Sequence, residues 1–469
     1  MSGPRPYRRA PLPPFPGYLK AIGPGIVWLA LAQGTGELIW WPYVVARYGL
    51  AFLFLLIPAC LIQWPVNYAI GRYTLLTGES VMRGFLRLGR PLGLLLWILL
   101  ALSFVWVGAF AGAGGTALAA LIGWPADWSE RARTLLWTLA SMGGLLGAFL
   151  LSRRFYRFIE WFMWVASIVT LLGLLAACLH PAVLRALPSF AAGLFRPTLP
   201  PPRPWDPDDA TRLLTALTFA GLGGFWTLFY SYWLRAKGAG MAGRFDAAAP
   251  AADLPGSETQ EEPFLPERAT ADLPRWKRFL IADSGAGVLG NLATTLLTCL
   301  LAYALLYPRG IYPQGYRLAV VQSEFFAASF GGAGRLLFLV VAAAFLCDTW
   351  IGTMDTVARV HADMGRALSA RLRAVPARRL YYLFLAIGSG LTAVTLPLAE
   401  PGTLILVTSV IGFSGTVVYT WALVVLNYTH LPRVAPELCP RRSPARGLLV
   451  LSAAAYTLLA ALYLGALLR

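Results

Sequence analysis

One carboxylate interrupts the first long apolar stretch of the sequence. Glu37 lies within LALAQGTGELIWWPYVV, a segment with no other charged residue. An intramembrane Asp costs about 2.5–3.5 kcal/mol on insertion scales, so such carboxylates mark candidate functional sites. Glu37 could coordinate a cation, carry a proton or accept hydrogen bonds from a substrate. Alternatively, it closes a hydrogen bond at a helix terminus, since it opens the second half of its helix and the helix dipole favours negative charge there.

A second acidic cluster lies in the apolar sequence AAAFLCDTWIGTMDTVARV. Asp348, Gly352 and Asp355 recur at i, i+4 and i+7, so they share one face of a helix. Asp348 and Thr349 offer the hard oxygen ligands that a Na⁺ site or a proton carrier needs, and we interpret them as the coupling-ion site. Asp355 can instead pair with Arg359 four residues on. The two carboxylates lie about 10 Å apart along the helix at 1.5 Å per residue, too far for a catalytic dyad, so no enzyme is predicted.

Two further polar residues lie on one face of another apolar segment. Asp283 and Asn291 are eight residues apart. Asp283 is near the inner end, where it could cap a helix or pair with Lys277 or Arg278, and Asn291 is deep enough to hydrogen-bond a neighbouring helix. The three histidines and five cysteines have no metal-ligand spacing. We therefore predict no cofactor beyond a coupling ion.

The elements that carry these residues are membrane spans. The chain has 469 residues, 58% hydrophobic and 13% charged, with a mean hydropathy of +0.62, which excludes an ordinary soluble fold. A span needs about 20 apolar residues, and eleven such stretches are present. They are predicted at 21–46, 50–71, 92–122, 134–151, 158–179, 209–234, 279–306, 335–360, 380–398, 402–428 and 447–468.

The basic residues indicate topology rather than a nucleic-acid partner. The net charge is +17, but Lys and Arg fall mostly between apolar runs. Their excess on one side predicts a cytoplasmic N-terminus and an outside C-terminus. The excess of Arg over Lys and the lack of a targeting signal favour a bacterial inner membrane. The lipid bilayer and a small solute are the expected partners, and the oligomeric state is open, with a monomer compatible.

The spans divide into two groups of five. We predict a cytoplasmic tail at 1–20, a first repeat at 21–179, an extended outside loop at 180–208, a second repeat at 209–428 and a last span at 447–468. The second repeat includes a mobile cytoplasmic linker at 236–278, rich in Pro, Gly and acidic residues.

The first span of each group carries a glycine break near its middle. Paired breaks at corresponding positions indicate an inverted-repeat transporter whose unwound backbone lines a midplane site. The alternative is that these glycines only let helices pack closely. Amides near Gly36 and Gly224 would form an anion site, and Trp226 would either wall it or simply pack. The predicted substrate-binding residues are Gly34, Thr35, Gly36, Glu37, Gly221, Gly223, Gly224, Trp226 and Thr227.

Several of these residues resemble the Nramp (natural resistance-associated macrophage protein) divalent-metal transporters. The matching features are Gly23-Pro24-Gly25, Gly34-Thr35-Gly36-Glu37, Ala46-Arg47-Tyr48-Gly49, Asp283 with Asn291, and Gly352-Thr353. The resemblance covers spans one to ten. It implies an all-α, multi-pass membrane protein of the amino acid–polyamine–organocation type, with eleven or twelve spans, a five-plus-five inverted repeat and broken helices 1 and 6.

The metal-binding residues of that family are not matched. By the resemblance, its ligand Asp and Asn fall on Gly34 and Glu37, and its Met and His fall near Gly224 and Trp226. A glutamate of its proton network falls on Gly112. Without the thioether that favours soft ions, and with Glu37 as the only carboxylate, a usual transition-metal site is not expected.

Three functions are compatible with this pattern. The first is a secondary transporter that couples Na⁺ or H⁺ to a small anion such as bicarbonate or a short carboxylate. The second is a Mg²⁺ or Mn²⁺ transporter with Glu37 as the replacement ligand, since hydrated Mg²⁺ needs only one or two carboxylates. The third is a non-transporting membrane sensor or scaffold.

Overall fold

The chain is folded almost entirely as helices. The computed structural model describes residues 6–33, 36–151, 168–198, 200–244, 263–313, 315–438 and 443–468, without the side chains of residues 33, 36–38 and 151. The helices of the predicted first repeat are α1 (Tyr18–Ala21), α2 (Pro24–Gln33), α3 (Gly36–Tyr48), α4 (Leu56–Leu61), α5 (Gln63–Thr77), α6 (Val81–Leu88), α7 (Arg90–Phe104), α8 (Gly108–Ile122), α9 (Glu130–Leu151) and α10 (Ile168–Ala177).

The second half of the chain follows the same plan. After α11 (Pro181–Gly193), its helices are α12 (Asp209–Thr218), α13 (Phe229–Ala236), α14 (Asp272–Leu301), α15 (Leu318–Gln322), α16 (Glu324–Leu368), α17 (Ala370–Arg373), α18 (Ala377–Thr395), α19 (Pro401–Val425), α20 (Leu431–Val434) and α21 (Pro444–Leu467). Shorter 3₁₀ segments include Gly224–Leu228, which leads into α13.

Within the described residues, eight helical segments are long and apolar enough to cross a membrane. A bent pair, α10 with α11, would add a ninth. The predicted sixth span is divided into two shorter helices, α12 and α13. In the predicted first span, α2 and α3 flank two residues that lie outside the described part of the chain. The total of eleven spans stays a prediction.

The prediction of an extended loop at 180–208 is wrong for the first half of that range. Residues Pro181–Gly193 form α11, which bends by 90° from α10. Pro181 occupies the first turn, where it costs no hydrogen bond, and the His180 ring accepts a bond from the Ala182 amide at 3.2 Å. These local signals favour a new helix over an extended connection.

The linker predicted as mobile at 236–278 is ordered at both described ends. Strand β1 (Arg8–Ala10) of the tail pairs in parallel with strand β2 (Phe264–Pro266) of the linker, and α14 begins already at Asp272. The Arg9 guanidinium donates to the Pro266 carbonyl at 3.0 Å and to Glu437 at 2.6 Å. The tail and the linker therefore stabilise each other's structure. The sequence of either segment alone does not predict this pairing. Residues 245–262 lie outside the described part of the chain.

Glycines set the spacing of the helices around α16. A Cβ added to Gly114 of α8 would lie 2.7 Å from Cys347 Sγ, and one added to Gly112 would lie 3.1 Å from Pro401. Helix α8 therefore packs directly against α16, beside Asp348. The family resemblance aligns Gly112 with an acidic residue. Pro401 occupies the space that a longer side chain at this position would need.

Candidate functional site

The sixth span is broken at the predicted glycines. Helix α12 ends at Thr218, and the chain resumes as a 3₁₀ turn at Gly224. Gly223 has φ 62° and ψ 168°, and Gly224 has φ 51°. The Gly223 conformation is open almost only to glycine, and a Cβ there would lie 2.1 Å from the Thr218 carbonyl oxygen. The break therefore depends on glycine for both conformation and space.

The carbonyl groups freed by the break are hydrogen-bonded from neighbouring spans. The Ala220 carbonyl accepts a bond from Asn291 Nδ2 at 3.0 Å and from Cys60 Sγ at 2.6 Å. Asn291 is completely buried, and its Oδ1 has no partner among the described residues. Asn291 thus contacts the break directly, as its depth in the span suggested.

Trp226 is packed among aromatic side chains. It is fully buried, and its ring meets three phenylalanine rings edge-on, at centroid distances of 4.7–5.6 Å. Its Nε1 donates to Thr353 Oγ1 at 2.8 Å. Of the two interpretations of Trp226, packing is the one that matches this geometry. The polar contact fixes the 3₁₀ turn to α16.

A small, mostly apolar cavity lies beside the break. It is lined by Gln63, Val66, Thr218, Gly223, Gly224, Thr227, Phe413, Thr416, Tyr419 and Tyr456. The space open to the centre of a water-sized sphere is about 10 Å³, enough for roughly one water molecule. Gly223, Gly224 and Thr227 were predicted for the site. Gln63, Thr416 and Tyr419 were missed, because single polar residues inside apolar spans carry no distinctive spacing.

Gly221 belongs to the same break. A Cβ added there would lie 2.2 Å from Gln63 Oε1. Gly221 therefore allows the Gln63 amide to reach the break, which is a packing role.

In the first span, helix α2 is described as far as Gln33 and α3 from Gly36 onward. Gly34 and Thr35 lie outside the described residues. Glu37 lies in the first turn of α3, where a carboxylate interacts favourably with the helix dipole, but its side chain is not among those described.

The predicted eighth span lies within α16, and its predicted acidic face is directed toward α2. A Cβ added to Gly352 would lie 3.3 Å from Leu31 Cδ1. Asp348, one turn away on the same face, is half-buried. Thr349 is buried, but its hydroxyl donates to its own helix, to the Phe345 carbonyl at 2.9 Å. The Thr349 hydroxyl is therefore engaged within α16.

Asp355 is engaged in a local ion pair. Its carboxylate accepts from Arg359 Nη2 at 3.1 Å and from the Tyr381 hydroxyl at 2.6 Å. This pairing across one helical turn is the arrangement that the i, i+4 spacing suggested. It joins α16 to α18.

Asp283 caps the start of α2. Its carboxylate accepts bonds from the amides of Gly25 at 2.8 Å and Gly23 at 3.3 Å, and from the Tyr230 hydroxyl at 2.8 Å. A Cβ added to Gly23 would lie 3.6 Å from Lys237 Nζ, so this ammonium is close by. The capping is between helices, and Asp283 therefore joins α14 to both α2 and α13.

We expect Asp283→Ala to weaken this junction. Two amides and one hydroxyl would lose their acceptor, and an unsatisfied buried group costs about 1–3 kcal/mol. The thermal unfolding temperature of the purified protein in detergent should therefore fall clearly. Asp272→Ala is the control on the same helix, since Asp272 forms a surface ion pair with Arg275. Equal melting of the two variants would contradict the capping role.

An ion-pair network joins the end of α3 to the start of α12, and the sequence analysis did not predict it. Asp209, at the start of α12, is buried and accepts from the hydroxyls of Tyr43 at 2.9 Å and Tyr48 at 2.5 Å. It also pairs with Arg47 at 2.7 Å and with Arg212. The network ties α3 to α12, so the two half-helices are held as one unit at that end.

Comparison with known proteins identifies the architecture. No family profile and no curated protein matches the sequence. The structure of the Eremococcus coleocola manganese transporter in complex with an aromatic bis-isothiourea substituted compound superposes with a TM-score of 0.57 at 15% identity, covering 94% of this chain and 85% of that one. MhsT in complex with L-phenylalanine superposes with a TM-score of 0.52 at 14% identity, covering 94% and 98%.

The fold is a five-plus-five inverted repeat. The chain is an all-α, multi-pass membrane protein with a divided helix in span six, which confirms the predicted fold class apart from the number of spans. At these identities the likeness concerns the fold alone.

Proposed function

We propose that this protein is a secondary active transporter that couples Na⁺ or H⁺ to the movement of a small anion. The observation that carries the proposal is the glycine-dependent break in span six, together with the Gly34-Thr35-Gly36 sequence at the corresponding position of span one. Discontinuous helices of this kind present half-helix ends to substrates and coupling ions at the membrane midplane. A sensor or an enzyme has no evident use for such a pair.

The chemistry of the half-helix ends favours an anion as substrate. The segments after the two breaks begin at Gly36 and Gly224, and helix starts present amides and a positive dipole end. Bicarbonate or a short carboxylate would suit such a site. Either anion is larger than the water-sized cavity beside span six. We therefore infer that the half-helices around the breaks move apart when the anion binds.

The surroundings of span six disfavour a soft transition-metal ion. Gly224 has no side chain and therefore offers no thioether to a soft ion. The indole Nε1 of Trp226 is a donor only and cannot ligate a metal. We therefore place this chain as an Nramp-related branch with a different substrate.

Asp348 is the residue that we assign to the coupling ion. It is a half-buried carboxylate in the middle of α16, on the face that contacts α2. Intramembrane carboxylates of this kind serve as ion ligands or proton carriers. The tail side would face the cytoplasm of a bacterial inner membrane, as the basic residues predict, and a single chain would suffice as the transporting unit.

Divalent-cation transport is the second candidate. Glu37 lies at the start of α3, and the fold is shared with a manganese transporter. A hydrated Mg²⁺ ion would need little more than that carboxylate from the protein.

Transport assays in proteoliposomes distinguish the two candidate functions, and a trapped metal-sensitive dye reports metal influx. We expect no Mn²⁺ or Mg²⁺ influx above empty vesicles, and we expect bicarbonate or lactate uptake driven by a Na⁺ or pH gradient. Metal influx that is lost in Glu37→Gln would replace the anion proposal with the divalent one. Protein recovered from the vesicles by size-exclusion chromatography serves as the folding control.

A further inference from the structure

The N-terminal tail contacts the helix bundle beyond its strand β1. The Arg244 guanidinium donates to the Pro11 carbonyl at 2.6 and 2.9 Å. The Trp276 indole donates to the Pro13 carbonyl at 3.0 Å, and the Phe15 ring meets the Trp276 ring edge-on at a centroid distance of 5.1 Å. These partners belong to the second half of the chain. They fasten the tail to the segment after α13 and to α14.

Tyr7, just before strand β1, anchors the tail to the first half of the chain. Its ring faces the Arg87 guanidinium, whose carbon lies 4.1 Å from the ring centroid. Glu79 fixes that guanidinium through two hydrogen bonds, at 2.7 and 2.8 Å. The Tyr7 hydroxyl lies 3.2 Å from the Tyr73 hydroxyl and 3.5 Å from His430 Nε2. Because a cation is attracted to the face of a tyrosine ring, Tyr7 is held to α6 by electrostatics as well as by packing.

Arg9 forms a second anchor, to the segment that follows α19. Its guanidinium donates to Glu437 at 2.6 Å and to the Val434 carbonyl at 2.9 Å. The same group also donates to the Pro266 carbonyl of strand β2 at 3.0 Å. Tyr7 and Arg9 together therefore connect α5 and α6 of the first repeat to the linker and to the end of span ten.

Direct helix packing closes the protein on the side that carries the tail. A Cβ added to Gly71 of α5 would lie 2.3 Å from Leu280 Cδ1 of α14 and 2.9 Å from Tyr230 Cε1 of α13. One added to Gly240, just after α13, would lie 2.4 Å from the Leu75 carbonyl oxygen of α5. Helix α5 thus packs against α13 and α14 without space between them. A path from the break in span six to this side would have to open that junction.

We propose that the tail is a strap that holds this side of the protein closed and is released when the junction opens. Its anchors at Tyr7 lie on α5 and α6, whereas its contacts at Pro11 and Pro13 lie beside α13 and on α14. The strap therefore crosses the junction, and it cannot keep both sets of contacts when α5 moves away from α13 and α14. The proposed transport function requires such an opening, because half-helices part on one side of the membrane at a time.

Hydrogen–deuterium exchange of the full-length protein in detergent, measured by mass spectrometry, tests the strap. The double variant Tyr7→Ala with Arg9→Ala removes both anchors. We expect the amides of α2 and α13 to exchange at least about 5-fold faster, because losing such contacts shifts a local opening equilibrium by that factor. The amides of α12, before the break, should keep the parent rate. Lys20→Ala, at an exposed cation of the tail, is the control and should change neither rate.

A charge exchange provides a second, independent variant. Arg9→Glu places two carboxylates together at the Glu437 anchor, and adding Glu437→Arg restores a pair of opposite charges. We expect faster exchange of α2 and α13 in Arg9→Glu and a return toward the parent rate in the charge-exchanged protein. This comparison decides the matter even if the double alanine variant fails to fold.

Two results would overturn the proposal. The first is faster exchange confined to the tail and strand β2 of folded variants, with α2 and α13 at the parent rate, which would make the tail a packed segment and no more. The second is an equal rise in α12, which would indicate a general loss of stability. Hydrogen exchange measures no transport, whereas the proteoliposome assays do, so failure of the strap and failure of the proposed function can be distinguished.

Discussion

Gly223→Ala is expected to prevent the accumulation of folded protein. The residue would have to adopt φ 62° and ψ 168°, and holding a non-glycine residue in this region costs about 1–3 kcal/mol. Its Cβ would also lie 2.1 Å from the backbone oxygen of Thr218, which cannot move aside as a side chain could. Fluorescence-detected size-exclusion chromatography of the solubilised protein measures the loss.

The matched control is Gly147→Ala. Gly147 lies in α9 with nothing within 4 Å of an added Cβ, and alanine is favoured over glycine inside a helix by about 1 kcal/mol. We expect this variant to fold at least as well as the parent protein. A Gly223→Ala protein that is as abundant and as stable as Gly147→Ala would show that the break does not require glycine.

Asp348→Asn is expected to abolish the dependence of uptake on the coupling ion. The amide keeps the size of the side chain but removes the charge that attracts a cation or the group that carries a proton. Gradient-driven accumulation should fall to background, while exchange of solute down its own gradient can persist. Initial uptake rates measured across a series of Na⁺ concentrations and pH values provide the test.

Asp355→Asn is the control for this prediction, because it lies on the same helix face. Its carboxylate is held by Arg359 and Tyr381, so we expect lower thermal stability but an unchanged ion dependence. If Asp348→Asn keeps the ion dependence of the parent protein, the assignment of Asp348 is wrong.

Local chemistry made the fold predictable. Apolar length gives the positions of most spans, and the glycines at 221–224 indicate the break because few other residues tolerate such a backbone. The capping of α2 by Asp283 was only partly foreseen, since its partners are 258 and 260 residues away in sequence. The pairing of the tail with the linker was missed because the two strands are also far apart in the sequence and because each has only three residues.

The candidate site was less predictable than the fold. Gln63, Thr416 and Tyr419 converge only because α5 and α19 pack against the break, and no spacing within either helix signals this. The sequence did not single out Asp209, whereas the structure shows that it binds two tyrosines and two arginines. Contacts between distant segments decide such sites, and apolar periodicity does not encode them.

The most direct test of the account is ion-driven solute uptake by purified protein in proteoliposomes. Uptake of radiolabelled bicarbonate or lactate is recorded with an imposed Na⁺ or pH gradient, and Mn²⁺ influx is followed in the same vesicles. The account predicts an anion-dependent signal that requires the gradient and disappears in Asp348→Asn, with no Mn²⁺ influx. Mn²⁺ influx without any anion-dependent signal would contradict it.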